Sequence, residues 1–291
     1  MSKKRKCISA VVFGVIIVLL LIGIFAIGAE QRAETIRETM KDAVLHESVK
    51  ISFLGIKDVN PAVISAYVVT GIIFVFALIV RIFFIPKFKI IPGKFQMLLE
   101  EAVGMFDGLA KGNSPHRNSF LGAYIFTAGG YIFIGTLFEL LGVQAISVSG
   151  HPVSLPAPLA DINGAISLGV LSYTVILSGG IVSNGIKGVF MTLKDFSLPI
   201  SMSFRLFGAL LSGALVTELV YYSTALSFVL PVFVAVLFTL LHALIQAYVL
   251  TMLTSIFYGE VSEKSPPKPP KEKKKKDRQT KTNDRTFEVV A

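Results

Sequence analysis

Arg205 lies in the stretch SFRLFGALLSG, residues 203–213, among apolar and small residues. A cation near the centre of a bilayer costs about 2.5–3.5 kcal/mol on insertion scales, so it faces protein or a water-filled cavity. Such an arginine marks function, or it pairs with a carboxylate on a neighbouring helix and simply holds a bundle. On a helix, Gly208 and Ala209 at i+3 and i+4, Ser201 at i−4 and Ser212 at i+7 would line the arginine face with small residues. Another helix can approach such a face closely, either in ordinary packing or by sliding past with an acidic group of its own. At about 4 Å and an effective dielectric near 20, a guanidinium and a carboxylate attract by about 4 kcal/mol. A second polar line runs through Thr239, His242 and Gln246, spaced three and four apart on one face of an apolar stretch. Gln246 suits helix pairing by hydrogen bonding, and His242 suits either a proton relay or a neutral packing role. Glu218, roughly 20 Å and about 140° from Arg205 along a helix, is poorly placed to pair with it. It is suited instead to lining a separate aqueous route on the outer side.

The elements that must position these groups are membrane helices. The chain is 53% hydrophobic and 16% charged. Its apolar residues fall in blocks at 8–29, 62–85, 119–143, 163–182, 199–222 and 225–258. Each block reaches or exceeds the ~20 residues needed to cross a hydrocarbon core. Inside lipid each must satisfy its own backbone, so an all-α polytopic membrane protein is expected. Between the second and third blocks, IPGKFQMLLEEAVGMFDGLAKGN (91–113) places Phe95, Leu98, Leu99, Val103 and Phe106 at helical spacing, with Glu100, Glu101 and Asp107 elsewhere. This pattern predicts an amphipathic helix on the cytosolic surface or, alternatively, a soluble loop helix without lipid contact.

The net charge of +9 resides at the ends, in KKRK at 3–6 and in residues 261–291, which hold ten Lys/Arg against five Asp/Glu. Termini of this kind fit cytosolic topology determinants and membrane-surface tails rather than a nucleic-acid partner. The Lys- and Pro-rich tail after residue 260 has almost no apolar content and is expected to be disordered. With the N-terminus cytosolic, the six blocks place 22 Lys/Arg inside and 5 outside, counting Arg81 at the inner end of its helix. The one left within the membrane is Arg205. The first block, with its basic start and AIGA ending, reads either as a retained helix or as a cleaved signal peptide. Both versions leave residues 30–60 outside. The single cysteine, Cys7, excludes an intrachain disulfide and any multi-cysteine metal site, and no cofactor is expected.

At these residues the sequence resembles subunit a of the membrane sector of F-type ATP synthases. That family carries an arginine in a block of the form SxxxRLFGN, and SMSFRLFGA supplies Ser201, Arg205, Leu206, Phe207 and Gly208. LIQAYVLTMLTSIFYGE resembles the family's final helix, whose glutamine faces the arginine, so the resemblance gives Gln246 that role. PLADINGAISLG (158–169) is similar to the family's PTADxN segment, IPGKFQ to its PGKxQ segment, and FELLGV to its DLLP element. The resemblance spans about residues 60–260 and leaves the first helix and the basic tail as additions. It implies five family membrane helices, the last two long and tilted, packing against a rotating c-ring. It also implies two offset half-channels for protons or sodium ions, held apart by Arg205. The expected partners are the c-ring, b-type peripheral stalk subunits, the catalytic head indirectly and the bilayer of a bacterial plasma membrane, with the C-terminal tail cytosolic. The subunit itself would be non-catalytic.

The sequence departs from that pattern at several positions. The family's asparagine four residues after the arginine is Ala209, and a titratable position nine after it is Ala214, with Glu218 one turn later. The position seven before the glutamine is Thr239, with His242 one turn nearer. The connection before the arginine helix is short and lacks the customary acid, leaving Asp195 as the nearest candidate for an inner exit carboxylate. Glu139, Asp161 and Asn163 lie near predicted outer membrane ends and are candidates for the outer entrance, although Asp161 also suits a helix cap with Asn163 in the first turn. Two other readings compete with the ion-conducting stator. A stand-alone secondary transporter would use Arg205 as an anion anchor and an internal repeat, which the sequence does not display. A structural scaffold would tolerate loss of Arg205.

Overall fold

In the computed structural model, Val15 and residues 51–53, 56–116, 118–146, 152–222 and 230–264 are described, without the side chains of 52–58, 152, 153, 214, 217, 218 and 221–235. The expected N-terminal helix or signal peptide, most of the outer segment 30–60 and the basic tail therefore lie outside the described residues. The elements run β1 (Ile51–Phe53), β2 (Ile56–Val59), α1 (Pro61–Ile79), α2 (Lys94–Asn113), α3 (Ser119–Phe138), β3 (Gln144–Ile146), β4 (Pro152–Ser154), α4 (Ile162–Asn184), α5 (Ile186–Lys194), α6 (Ser197–Tyr222) and α7 (Leu230–Ser262). Each strand pair forms a small antiparallel hairpin, β1 with β2 and β3 with β4. These hairpins fall in segments that the sequence places outside the membrane. The rest of the described fold is helical, as the apolar blocks predict.

Local signals explain several helix ends. Asn60 caps α1 by accepting from the Ala62 N–H, and Pro61 takes the first helical position, where its missing N–H costs nothing. The helix runs on through a π-helical turn at Val80–Phe84 and a 3-10 turn at Ile85–Lys87, where Pro86 ends regular helix. Gly185, at φ +60°, ends α4 in a conformation suited to glycine and redirects the chain into α5. Residues 183–198, read from sequence as a cytosolic connection, thus contain a nine-residue helix, bent by 49° from the first part of α6. Among the described residues, four helical stretches are long and apolar enough to cross a membrane, with a fifth if α5 and α6 count as one bent span.

Helices α3, α4, α6 and α7 pack on one another, with α1 against α3 and α2 against α3 and α7. Leu121, Ile125 and Ile132 of α3, Ile176 of α4, and Met202 and Leu206 of α6 are almost fully buried at their common core. Small residues permit the closest approaches. A side chain at Gly179 would strike the Tyr258 ring of α7, and one at Gly188 would strike the Gly180 carbonyl. Gly188→Ala is therefore expected to destabilise the protein by about 1–3 kcal/mol, since the obstacle is backbone. The thermal midpoint in detergent should fall for Gly188→Ala and hold for Gly130→Ala, where an added Cβ meets nothing within 4 Å.

Polar contacts fix the far end of α7. Asn113 donates to Ser255 Oγ at 3.2 Å, and Ser255 donates to the Leu109 carbonyl at 3.1 Å. His116 Nε2 lies 2.8 Å from Ser262 Oγ, and the Asn184 amide donates to the carbonyls of Val261 and Glu263. The helix that carries Gln246 is thereby tied to the ends of α2 and α4.

Candidate functional site

Helix α6 has two distinct faces around Arg205. Met202, Ser203, Leu206 and Leu210 are buried, whereas Ser201, Phe204, Arg205, Gly208 and Ser212 are exposed. The arginine face thus points out of the bundle. Two serine hydroxyls on this helix satisfy themselves locally, Ser203 on the Pro199 carbonyl at 2.6 Å and Ser212 on the Ala209 carbonyl at 2.8 Å. Among the described residues Arg205 forms neither an ion pair nor a hydrogen bond. Its guanidinium offers five N–H donors in a fixed fork. Beside it a Cβ at Gly208 would meet nothing within 4 Å, so the surface there is a shallow trough. On α7, Leu237, Leu240, Leu241, Leu244 and Ile245 form an exposed apolar face. In lipid a bare guanidinium on such a surface is costly.

Gln246 lies on the opposite, inward side of α7 at 7% exposure, and its Oε1 has no hydrogen-bond partner among the described residues. No hydrogen bond joins it to Arg205 in this structure. One turn earlier, His242 Nδ1 donates to the Phe238 carbonyl at 2.7 Å, and its ring stacks on Phe238. A carbonyl only accepts, so Nδ1 carries a proton and Nε2 is the ring nitrogen left to face elsewhere.

A cavity of about 10 Å³ lies between the end of α3, α6 and α7, lined by Thr136, Glu139, Ala209, Leu210, Gly213, Phe238, Thr239 and His242. That volume is at the lower limit for one water molecule, roughly 10–15 Å³. It brings together a carboxylate, an imidazole and two hydroxyls one and two turns beyond Arg205. Ala209, where the sequence lacks a longer polar side chain, forms part of its wall.

Asp161 and Asn163 stand elsewhere. Asp161 caps α4, its Oδ1 accepting from the N–H groups of Asn163 and Gly164, while its Oδ2 accepts from Asn60 Nδ2 at 2.6 Å. Two capping side chains thus clasp the starts of α1 and α4. Both residues line a separate cavity of about 410 Å³, with Tyr67, Thr70 and Ser167. Asp195 occupies the α5–α6 turn, where its N–H donates to the Thr192 carbonyl and its own carbonyl accepts from Leu198. Glu218 belongs to α6, but its side chain is not among those described.

Sequence reasoning passed over Asn60 and Thr136. Asn followed by Pro is a helix-start signal for Asn60, but its partner lies 101 residues away and has no local signature. Thr136 gives no signal beyond its place near a helix end. Among the described residues no three His, Cys, Asp or Glu side chains converge as a metal site would require. Residues 63–259 match the family model described as ATP synthase A chain.

Proposed function

The chain belongs to the ATP synthase A chain family, and from that membership we propose how its ion-translocating role is carried out. The exposed face of α6 meets a ring of rotor subunits, each bringing a carboxylate to the level of Arg205. The observation that carries this reading is the outward guanidinium, unpaired among the described residues, beside the open trough at Gly208. A carboxylate arriving at about 4 Å is favoured in its charged form by about 4 kcal/mol, enough to strip it of its ion. One elementary charge falling through 100 mV releases roughly 2.3 kcal/mol, and a fixed cation between two aqueous half-channels keeps that energy from dissipating as direct flux.

The outer half-channel runs through the Glu139–Thr239–His242 cavity, with Asp161 and Asn163 nearer the surface and Glu218 farther along α6. The inner one opens near Asp195. Gln246, with an unpartnered carbonyl, supplies an acceptor to Arg205 when a side-chain turn brings the two together. Helices α6 and α7, of 26 and 33 residues, are about 39 and 50 Å long, longer than a core of about 30 Å, so they tilt or project. The assembly further includes peripheral stalk subunits and, indirectly, the catalytic head, in a bacterial plasma membrane with the C-terminus cytosolic.

A cysteine at Gly208 tests the docking face. It should form a disulfide with a cysteine placed beside the ring carboxylate in assembled membranes. A cysteine at buried Leu210 should not. Equal cross-linking at both positions, or none at Gly208, would place the ring against another surface.

A further inference from the structure

The cytosolic side of the first helical hairpin holds an apolar groove that ion translocation does not use. Its volume is about 660 Å³, and α1 with its extension, α2 and α3 supply the walls, including Ile73, Phe76, Phe88, Leu99 and Phe126. That size falls within the usual range of ligand pockets, about 300–1,000 Å³. Along α1 the lining runs from Ile73 to Ile85, about 18 Å at helical rise. One leaflet contributes about 15 Å of hydrocarbon, so the groove matches the length of a single acyl chain.

The lower end is polar and basic. Phe88 lies between Lys87 and Lys89, and Lys94 opens α2 just before Phe95, whose ring sits 4.6 Å from that of Phe84. All three lysines are exposed. Gln96 fixes the loop that presents them, accepting from the Lys89 N–H at 3.0 Å and donating to the Lys89 carbonyl at 2.9 Å. Ile90 and Ile91, fully exposed at the tip, suit insertion among headgroups. Two acids also line the groove, and each is engaged: Glu100 accepts from Gln96, and Asp107 pairs with Lys111. With Arg81, Lys87, Lys89, Lys94 and Lys111 against Glu100, Glu101 and Asp107, the neighbourhood keeps a positive excess.

We propose that this groove binds one anionic phospholipid of the cytosolic leaflet, its acyl chain along α1 and α3 and its phosphate at Lys87, Lys89 and Lys94. The site depends on the inside–outside orientation proposed above but not on the role of Arg205. Basic residues facing the cytosol would by themselves attract anionic lipid diffusely. A built site adds dependence on the groove. Gly130 lines it, and a Cβ added there meets nothing within 4 Å, so the longer side chain of Gly130→Leu starts unobstructed and extends into the groove.

The test uses the whole ATP synthase complex, purified in detergent with equal phosphatidylglycerol and phosphatidylcholine, and mass spectrometry of the lipid retained. Phosphatidylglycerol should exceed phosphatidylcholine by roughly tenfold or more, since each lysine near an anionic group contributes about fivefold. The triple variant K87Q/K89Q/K94Q should bring the ratio near unity. Gly130→Leu should lower the total lipid retained, with ATP-driven pumping showing that both variants assemble. Arg205→Ala should leave the ratio unchanged, which keeps this outcome separate from the ring-docking one. Equal retention of the two lipids, or a ratio indifferent to both variants, would overturn the site. So would selective retention by the isolated chain but not by the complex, because a protein helix would then occupy the groove.

Discussion

Arg205→Ala in the assembled complex is expected to reduce ATP-driven ion pumping below about one-tenth of the wild-type rate while leaving the subunit in place. The side chain makes no ion pair or hydrogen bond among the described residues, so its removal leaves no buried partner stranded. What disappears is the attraction for an arriving carboxylate. About 4 kcal/mol at close range corresponds to about a thousandfold change in its ionisation. On the proposed mechanism, each ring carboxylate would then pass α6 still carrying its ion, and rotation would no longer force release on one side and reloading on the other. Arg205→Lys keeps a charge but replaces the planar fork with a compact ammonium, so pumping should stay well below wild type. Co-purification with the ring measures assembly, and acidification of inverted vesicles measures pumping. Unimpaired pumping by Arg205→Ala would favour the scaffold reading.

Glu139→Gln and His242→Phe form the second test. Both wild-type side chains line the same one-water cavity beside α6. His242 Nδ1 is held by the Phe238 carbonyl, and on the proposed route Nε2 would exchange protons with Glu139 through one water. Positioned proton-transfer groups contribute factors of about 10²–10⁴ in enzymes, and a relay with a parallel aqueous route should lose less, so each variant is expected to slow pumping by about tenfold. Because the two groups would act through one water, the double variant should be little slower than either single one. Independent, multiplying losses would separate the two residues into different routes.

Much of this arrangement was legible in the sequence, for reasons that also mark where it stopped being so. Membrane helices announce themselves because lipid admits no unsatisfied backbone, and α1, α3, α4 and α6 lie within a few residues of the apolar blocks. Arg205 was legible by elimination, since every other Lys or Arg fell near a membrane end. The split between Arg205, Gly208 and Ser212 on one side and Leu206 and Leu210 on the other follows from helical period alone. Asp161 was legible as a cap because it precedes an apolar run with no helix former between.

Helix α5 was not legible, because nine residues are too few to cross lipid and their apolar pattern was read as loop between two charged ends. The hairpins of the outer segments are three- and four-residue strands, too short for alternation to register. The meeting of Glu139 with His242 depends on which helices are neighbours, and periodicity assigns a face to each without saying what it faces. The same limit hid Asn60, whose cap is local but whose link to Asp161 is not.

The central claim is that Arg205 stands between two half-channels and keeps them apart. The most direct measurement is passive ion flux through vesicles stripped of the catalytic head, under an imposed potential of about 100 mV, where each charge carries roughly 2.3 kcal/mol. With the ring still assembled, Arg205→Ala should conduct ions well above wild type, because nothing then blocks direct passage between the two access routes. Flux no greater than wild type in Arg205→Ala vesicles with intact ring assembly would contradict the account.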